Sequence, residues 1–176
     1  MINRESPASM MQSVAQRQGV RQFVKFCIVG ASSTAISGGI FTWLVYFVHL
    51  DQILHVWLTG RAIAEGVPNP YLPLAMQLAA LVGFLFAVTN GFIWNSRWTF
   101  RQNDPARRKI QYIKFVLVNA VGLVLNQVIL FVVHRMLMAG RPATEKGLEP
   151  LVAFAAATAI VVFWNFLANK YWTFKS

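Results

Sequence analysis

Four long apolar blocks, separated by short connections rich in glycine, proline and charge, set the organisation of this chain. They cover about 23–50, 72–94, 113–137 and 150–169. As helices rising about 1.5 Å per residue, each is long enough to cross a hydrocarbon core of roughly 30 Å. No charged side chain falls within Phe26 to Val48, Leu72 to Trp94, Phe115 to Val133 or Pro150 to Ala168. The pattern predicts an all-α integral membrane protein with four transmembrane helices, spread over a membrane domain at 21–174. Residues 1–20 are polar, contain Pro7 and show no sustained apolar face, which predicts a mobile tail. Asp51 to Tyr71 and Met138 to Glu149 read as loops, and Asn95 to Tyr112 as a basic connection.

The second and fourth blocks end alike. Gly91-Phe92-Ile93-Trp94-Asn95-Ser96-Arg97-Trp98-Thr99-Phe100 returns as Asn165-Phe166-Leu167-Ala168-Asn169-Lys170-Tyr171-Trp172-Thr173-Phe174, with Phe, Asn, Trp, Thr and Phe in register. The first and third blocks open alike, because Gln22-Phe23-Val24-Lys25-Phe26 is echoed by Gln111-Tyr112-Ile113-Lys114-Phe115. Each half therefore reads as a helical hairpin in the same orientation. This predicts two parallel repeats related by an axis along the membrane normal, with homodimerisation as one way to complete the bundle. Small residues recur every fourth position in Gly30, Thr34 and Gly38, and in Ala79, Gly83, Ala87 and Gly91. Such stripes let helices approach closely where no hydrophobic drive operates between them.

Charge then orients the hairpins. Of 16 Lys and Arg, only Arg61, Arg135, Arg141 and Lys146 lie on the side of the two hairpin loops. The bias places both termini in the cytoplasm. The net charge of +10 flanks the apolar spans instead of covering a polar surface, which argues for anionic lipid headgroups and against nucleic acid. The apolar run after the basic N-terminal region is too long for a secretory leader and reads as a retained first span.

The chemistry on offer is limited. A single cysteine, Cys27, sits in an apolar run, and His49, His55 and His134 are dispersed. No metal-ligand spacing, carboxylate pair or nucleophile arrangement appears, so neither an enzyme nor a metal or cofactor site is expected. The spans also lack the embedded carboxylate or histidine that ion-coupled transporters and small multidrug exporters employ. They offer neutral polar groups instead: Ser33, Ser37, Asn90, Asn95, Asn119, Asn126, Asn165 and Asn169. These suit sugar hydroxyls, and they suit interhelical hydrogen bonds worth about 0.6 kcal/mol each equally well. Lys25, Arg97, Lys114 and Lys170 stand where each span meets the cytoplasmic face. There they can anchor headgroups or gather a lipid phosphate.

Phe23-Val24-Lys25-Phe26-Cys27-Ile28-Val29-Gly30, Asn95-x-Arg97-Trp98-Thr99-Phe100 and Trp164-Asn165-Phe166-Leu167-Ala168-Asn169-Lys170-Tyr171-Trp172-Thr173-Phe174, in that order, resemble the GtrA-like family of small bacterial membrane proteins. The resemblance covers about Arg21 to Phe174 and departs from the family pattern after Gly30, where Ser33-Thr34 and Ser37 stand. It implies translocation of a polyprenyl-phosphate-linked sugar, such as undecaprenyl-phosphate glucose, across the bacterial cytoplasmic membrane for O-antigen or related polysaccharide synthesis. It also implies a glycosyltransferase partner. The alternative is a non-transporting scaffold that recruits or stabilises that transferase.

Overall fold

The computed structural model describes residues 7–63, 67–102, 104–138 and 149–175, and all regular elements among them are helical. The helices are α1 (Pro7–Thr42), α2 (Leu50–Thr59), α3 (Leu72–Trp94), α4 (Arg108–Met138) and α5 (Glu149–Ala168). Three π-helical turns extend α1, α3 and α5: π1 (Trp43–Phe47), π2 (Asn95–Thr99) and π3 (Asn169–Thr173). Four stretches are long and apolar enough to cross a membrane: Gln16–Phe47, Leu72–Thr99, Arg108–Val133 and Leu151–Thr173. Large apolar side chains such as Leu81, Phe86, Leu123 and Phe131 are more than half exposed on them. Acyl chains solvate that surface, so inter-helix contact must come from close packing and polar pairing.

Three boundaries differ from the sequence pattern. Residues 7–20, expected as a tail, are helical and run without a break into the first span, with Pro7 at the start, where its fixed φ suits a helix. The first span ends near Phe47 instead of Leu50, because His49 adopts a left-handed conformation with φ 51°. The expected loop after it contains α2. Leu50 and Leu54 of α2 are half-buried while Ile53, Val56 and Trp57 lie exposed, the pattern of a helix lying in a membrane interface. Its anchors are Asn69 Nδ2, which donates to Asp51 Oδ2 at 2.9 Å, and the edge-on contact of His55 with Tyr71 at 5.5 Å. It ends at Gly60, whose φ of 69° only glycine adopts freely. Residues 1–6 of the expected tail and 139–148 of the second hairpin loop lie outside the described residues.

The chain divides into two compact units, Ile28–Trp94 and the remainder. In the first, α3 turns Ala75, Ala79 and Gly83 inward, the two alanines fully buried. A Cβ on Gly83 would lie 2.8 Å from the Ser37 carbonyl oxygen, so only glycine permits that approach. The matching stripe on α1 is not the one expected. Nothing lies within 4 Å of a Cβ built on Gly30 or Gly38, and Thr34 bonds back to the Gly30 carbonyl at 3.1 Å. The inward face is one residue earlier: Val29 is buried, Ser33 accepts from Asn90, and Ser37 meets Gly83. A shift of one residue turns a helix by about 100°, and small-residue spacing alone does not choose between neighbouring stripes.

In the second unit, α4 and α5 pack on each other, with Ala153 and Ala157 of α5 fully buried. Gly122 of α4 admits the Asn165 side chain, whose Oδ1 would lie 2.7 Å from a Cβ there. The core of this unit is aromatic. Phe26 meets Phe100 and Phe166, Phe100 stacks on Phe174 at 4.8 Å, and Phe115 meets Phe174 at 6.0 Å. Such pairs contribute about 0.5–1.5 kcal/mol each beyond the area they bury.

Candidate functional site

The duplicated sequence motif becomes a duplicated π turn. The Phe100 amide donates to Asn95 O at 2.8 Å and the Phe174 amide to Asn169 O at 2.9 Å, each spanning five residues instead of four. Widened turns of this kind accommodate one extra residue and are frequent at functional sites. Here each turn buries its Asn and its Thr, leaves its Trp at the rim, and delivers its final Phe to the aromatic core.

The opening motif of each half then clasps the closing motif. Lys25 Nζ donates to Trp98 O at 3.4 Å and lies 4.9 Å from the ring centroid of Trp98. Lys114 Nζ donates to Trp172 O at 3.5 Å and lies 5.3 Å from the centroid of Trp172. Each ammonium is held by the last turn of the helix that closes its own hairpin, where exposed carbonyls and the helix dipole favour a cation.

A cavity opens beside each clasp. The first, about 570 Å³, is lined by Arg17, Gln18, Arg21, Gln22, Lys25, Thr99, Phe100 and Arg101. The second, about 480 Å³, is lined by Arg107, Ile110, Gln111, Lys114, Tyr171, Trp172, Thr173 and Lys175. The repeat pairs Gln22 with Gln111, Lys25 with Lys114 and Thr99 with Thr173 across the two walls. Behind the walls lie polar atoms with no hydrogen-bond partner: Asn95 Oδ1, Thr99 Oγ1, Asn165 Oδ1, Asn169 Oδ1 and Thr173 Oγ1. An unpaired buried polar group costs about 1–3 kcal/mol, a cost that a ligand or water hydrogen-bonded there offsets.

The four cations at the span ends do not share one cavity. Lys25 and Lys114 line separate cavities, Arg97 is exposed and lines neither, and Lys170 lies over the rings of Phe166 and Tyr171. The neutral polar residues divide likewise. Asn90 Nδ2 donates to Ser33 Oγ at 3.1 Å and Ser32 Oγ at 3.3 Å. Asn119 bonds back to the Phe115 carbonyl at 2.8 Å, and Asn169 bonds back to that of Asn165 at 2.7 Å. Ser37 and Asn165 fill the space left by glycines, Asn95 is buried, and Asn126 is half-buried. Residues that sequence reasoning left out are Arg17, Arg21, Arg101, Thr99 and Thr173. The two threonines stand in the duplicated motif, and Arg17 falls in the expected tail. Among the described residues no three His, Cys, Asp or Glu side chains converge as a metal site would require.

The chain is similar to several known membrane proteins. It is 23% identical to the uncharacterized membrane protein YngA of Bacillus subtilis (strain 168) over 161 residues, spanning 92% of this chain and 84% of that one. It is 23% identical to the bactoprenol-linked glucose translocase of Shigella phage SfII and 24% identical to that of Salmonella phage P22. Both matches span 89% of this chain and 97% of the relative. No solved structure matches it. The family model for the GtrA/DPMS transmembrane domain matches residues 69–174, which takes in π2, π3, the Lys114 clasp and all of the second cavity's lining except Lys175. With more than half its length under that model, the chain belongs to the GtrA/DPMS transmembrane-domain family.

Proposed function

We infer that this protein translocates a polyprenyl-phosphate-linked sugar across the bacterial cytoplasmic membrane, for the synthesis or modification of a cell-surface polysaccharide, and performs no catalysis itself. The observation that carries the reading is the pair of lysine-lined basic cavities, one per repeat, at the end of the spans where the cations gather. A carrier phosphate is drawn to such cations, while the prenyl chain stays in the surrounding lipid. Similarity to bactoprenol-linked glucose translocases over 97% of their length supports the choice of substrate. With no charged side chain between Phe26 and Val48 or along the other span interiors, movement follows the substrate gradient instead of an ion gradient. In this reading both termini face the cytoplasm, the sugar meets Ser33, Ser37, Asn90, Asn95, Asn119, Asn126, Asn165 and Asn169 in passing, and a glycosyltransferase charges the carrier on the cytoplasmic side.

The test is a vesicle of neutral phospholipid holding the purified protein and a polyprenyl-phosphate sugar labelled on the inner leaflet. Protein-dependent exposure of the sugar to an outside oxidant is the expected result. Exposure equal to that of empty vesicles would sink the reading.

The scaffold alternative draws on a separate observation: Ser33, Asn90, Asn119 and Asn169 already make hydrogen bonds within the protein. It predicts co-purification with a transferase together with no translocation by the protein alone. In either reading homodimerisation remains one way to complete the bundle.

A further inference from the structure

The two cavities have the same design and unequal charge. The first is lined by Arg17, Arg21, Lys25 and Arg101, with no carboxylate on its wall. The second is lined by Arg107, Lys114 and Lys175, and Arg107 Nε already lies 3.5 Å from Asp104 Oδ2. Two of the first cavity's four cations, Arg17 and Arg21, come from the N-terminal end of the Gln16–Phe47 stretch, and with Lys25 they recur at four-residue spacing on α1 and so share one face. Arg101 completes the set from a left-handed backbone conformation with φ 55°, a strained choice for a non-glycine residue. That conformation is fixed by the Gln102 amide, which donates to Ser96 O at 2.8 Å. The wall also includes Thr99, whose buried hydroxyl has no partner. Four cations around one open cavity repel one another, and a bound anion of high charge density relieves that repulsion more than water alone.

We propose that the first cavity is the site that captures the phosphate of a lipid carrier, with Arg17 and Arg21 as its selective arm, and that the second cavity binds the same group more weakly. This rests on the carrier reading above and assigns its entry point to one repeat. The pseudo-symmetric protein is thereby made asymmetric in function, since Ile110 stands where the first repeat has Arg21, and the stretch ahead of Lys114 brings one cation, Arg107, to its cavity where the stretch ahead of Lys25 brings two.

The experiment measures equilibrium binding of polyprenyl monophosphate to the full chain in neutral phosphatidylcholine nanodiscs, by native mass spectrometry. The expected result is that Arg17→Gln/Arg21→Gln weakens binding by about tenfold or more, as loss of two charge-assisted contacts requires, while Arg107→Gln/Lys175→Gln weakens it by less than about threefold. Both pairs are exposed on helices or at their ends, and Gln keeps helix propensity, so retained helicity by circular dichroism accompanies each comparison. Equal losses for the two pairs, or none for the first, would overturn the assignment. Inorganic phosphate that binds with the same residue dependence would make this a free-phosphate site, and phosphatidylglycerol that does so would make it general headgroup anchoring; either defeats the carrier assignment. Failure of translocation by the unaltered protein, with the binding asymmetry intact, sinks the transport reading alone. Translocation with the asymmetry absent sinks this inference alone.

Discussion

Lys25 Nζ stands 4.9 Å above the ring of Trp98 and donates to the carbonyl oxygen of the same residue at 3.4 Å. One side chain thus reads both the π face and the backbone of the turn that closes its hairpin, and Lys114 repeats the arrangement on Trp172. Each clasp ties the helix that opens a hairpin to the π turn that closes it.

Replacing the ring and keeping the carbonyl isolates the cation–π component. Trp98→Leu and Trp172→Leu should each lower stability by about 0.5–1 kcal/mol, the range for partly exposed pairs. Unfolding by sodium dodecyl sulfate titration measures it, and near-equal losses are expected because the two geometries are alike.

Glycines on opposite sides of the packing divide should respond differently. Gly83→Ala should cost near the upper end of about 1–3 kcal/mol, because its Cβ would lie 2.8 Å from backbone that cannot yield. Gly122→Ala should cost nearer the lower end, since the obstructing Asn165 amide can rotate, and Asn165→Ala should restore it. Gly38→Ala, with nothing within 4 Å, should stabilise by up to about 1 kcal/mol through helix propensity.

Asn90 donates to both Ser33 and Ser32, so its amide is a strut between α1 and α3. A double-mutant cycle of Asn90→Ala with Ser33→Ala should give a coupling of about 0.6 kcal/mol and no more than about 1.7. Zero coupling would show that the hydrogen bond contributes nothing to the folded protein.

Cations that line cavities should matter more than those that do not. Lys25→Gln should weaken polyprenyl monophosphate binding more than Arg97→Gln, because Arg97 is exposed and lines neither cavity. Binding should also weaken as salt rises from about 0.1 M to about 1 M, over which the Debye length falls from roughly 10 Å to 3 Å.

Read alone, the sequence determined that this is an all-helical chain with four membrane spans, because uninterrupted apolar length admits no other use of those residues in water or lipid. It determined the internal duplication as well, since both ends of each hairpin are spelled alike, but that Lys25 meets Trp98 and Lys114 meets Trp172 came from the tertiary structure. Tertiary structure decided which face of each helix packs. The glycine stripe at 30, 34 and 38 stayed open while Val29, Ser33 and Ser37 turned inward, a choice of about 100° that spacing cannot make. It also decided that Arg17 belongs to a cavity instead of a tail, and that Lys25 and Lys114 line separate cavities. Those outcomes depend on which atoms of distant segments come within a few ångströms, and periodicity along one helix carries no information about the rotation of its neighbour.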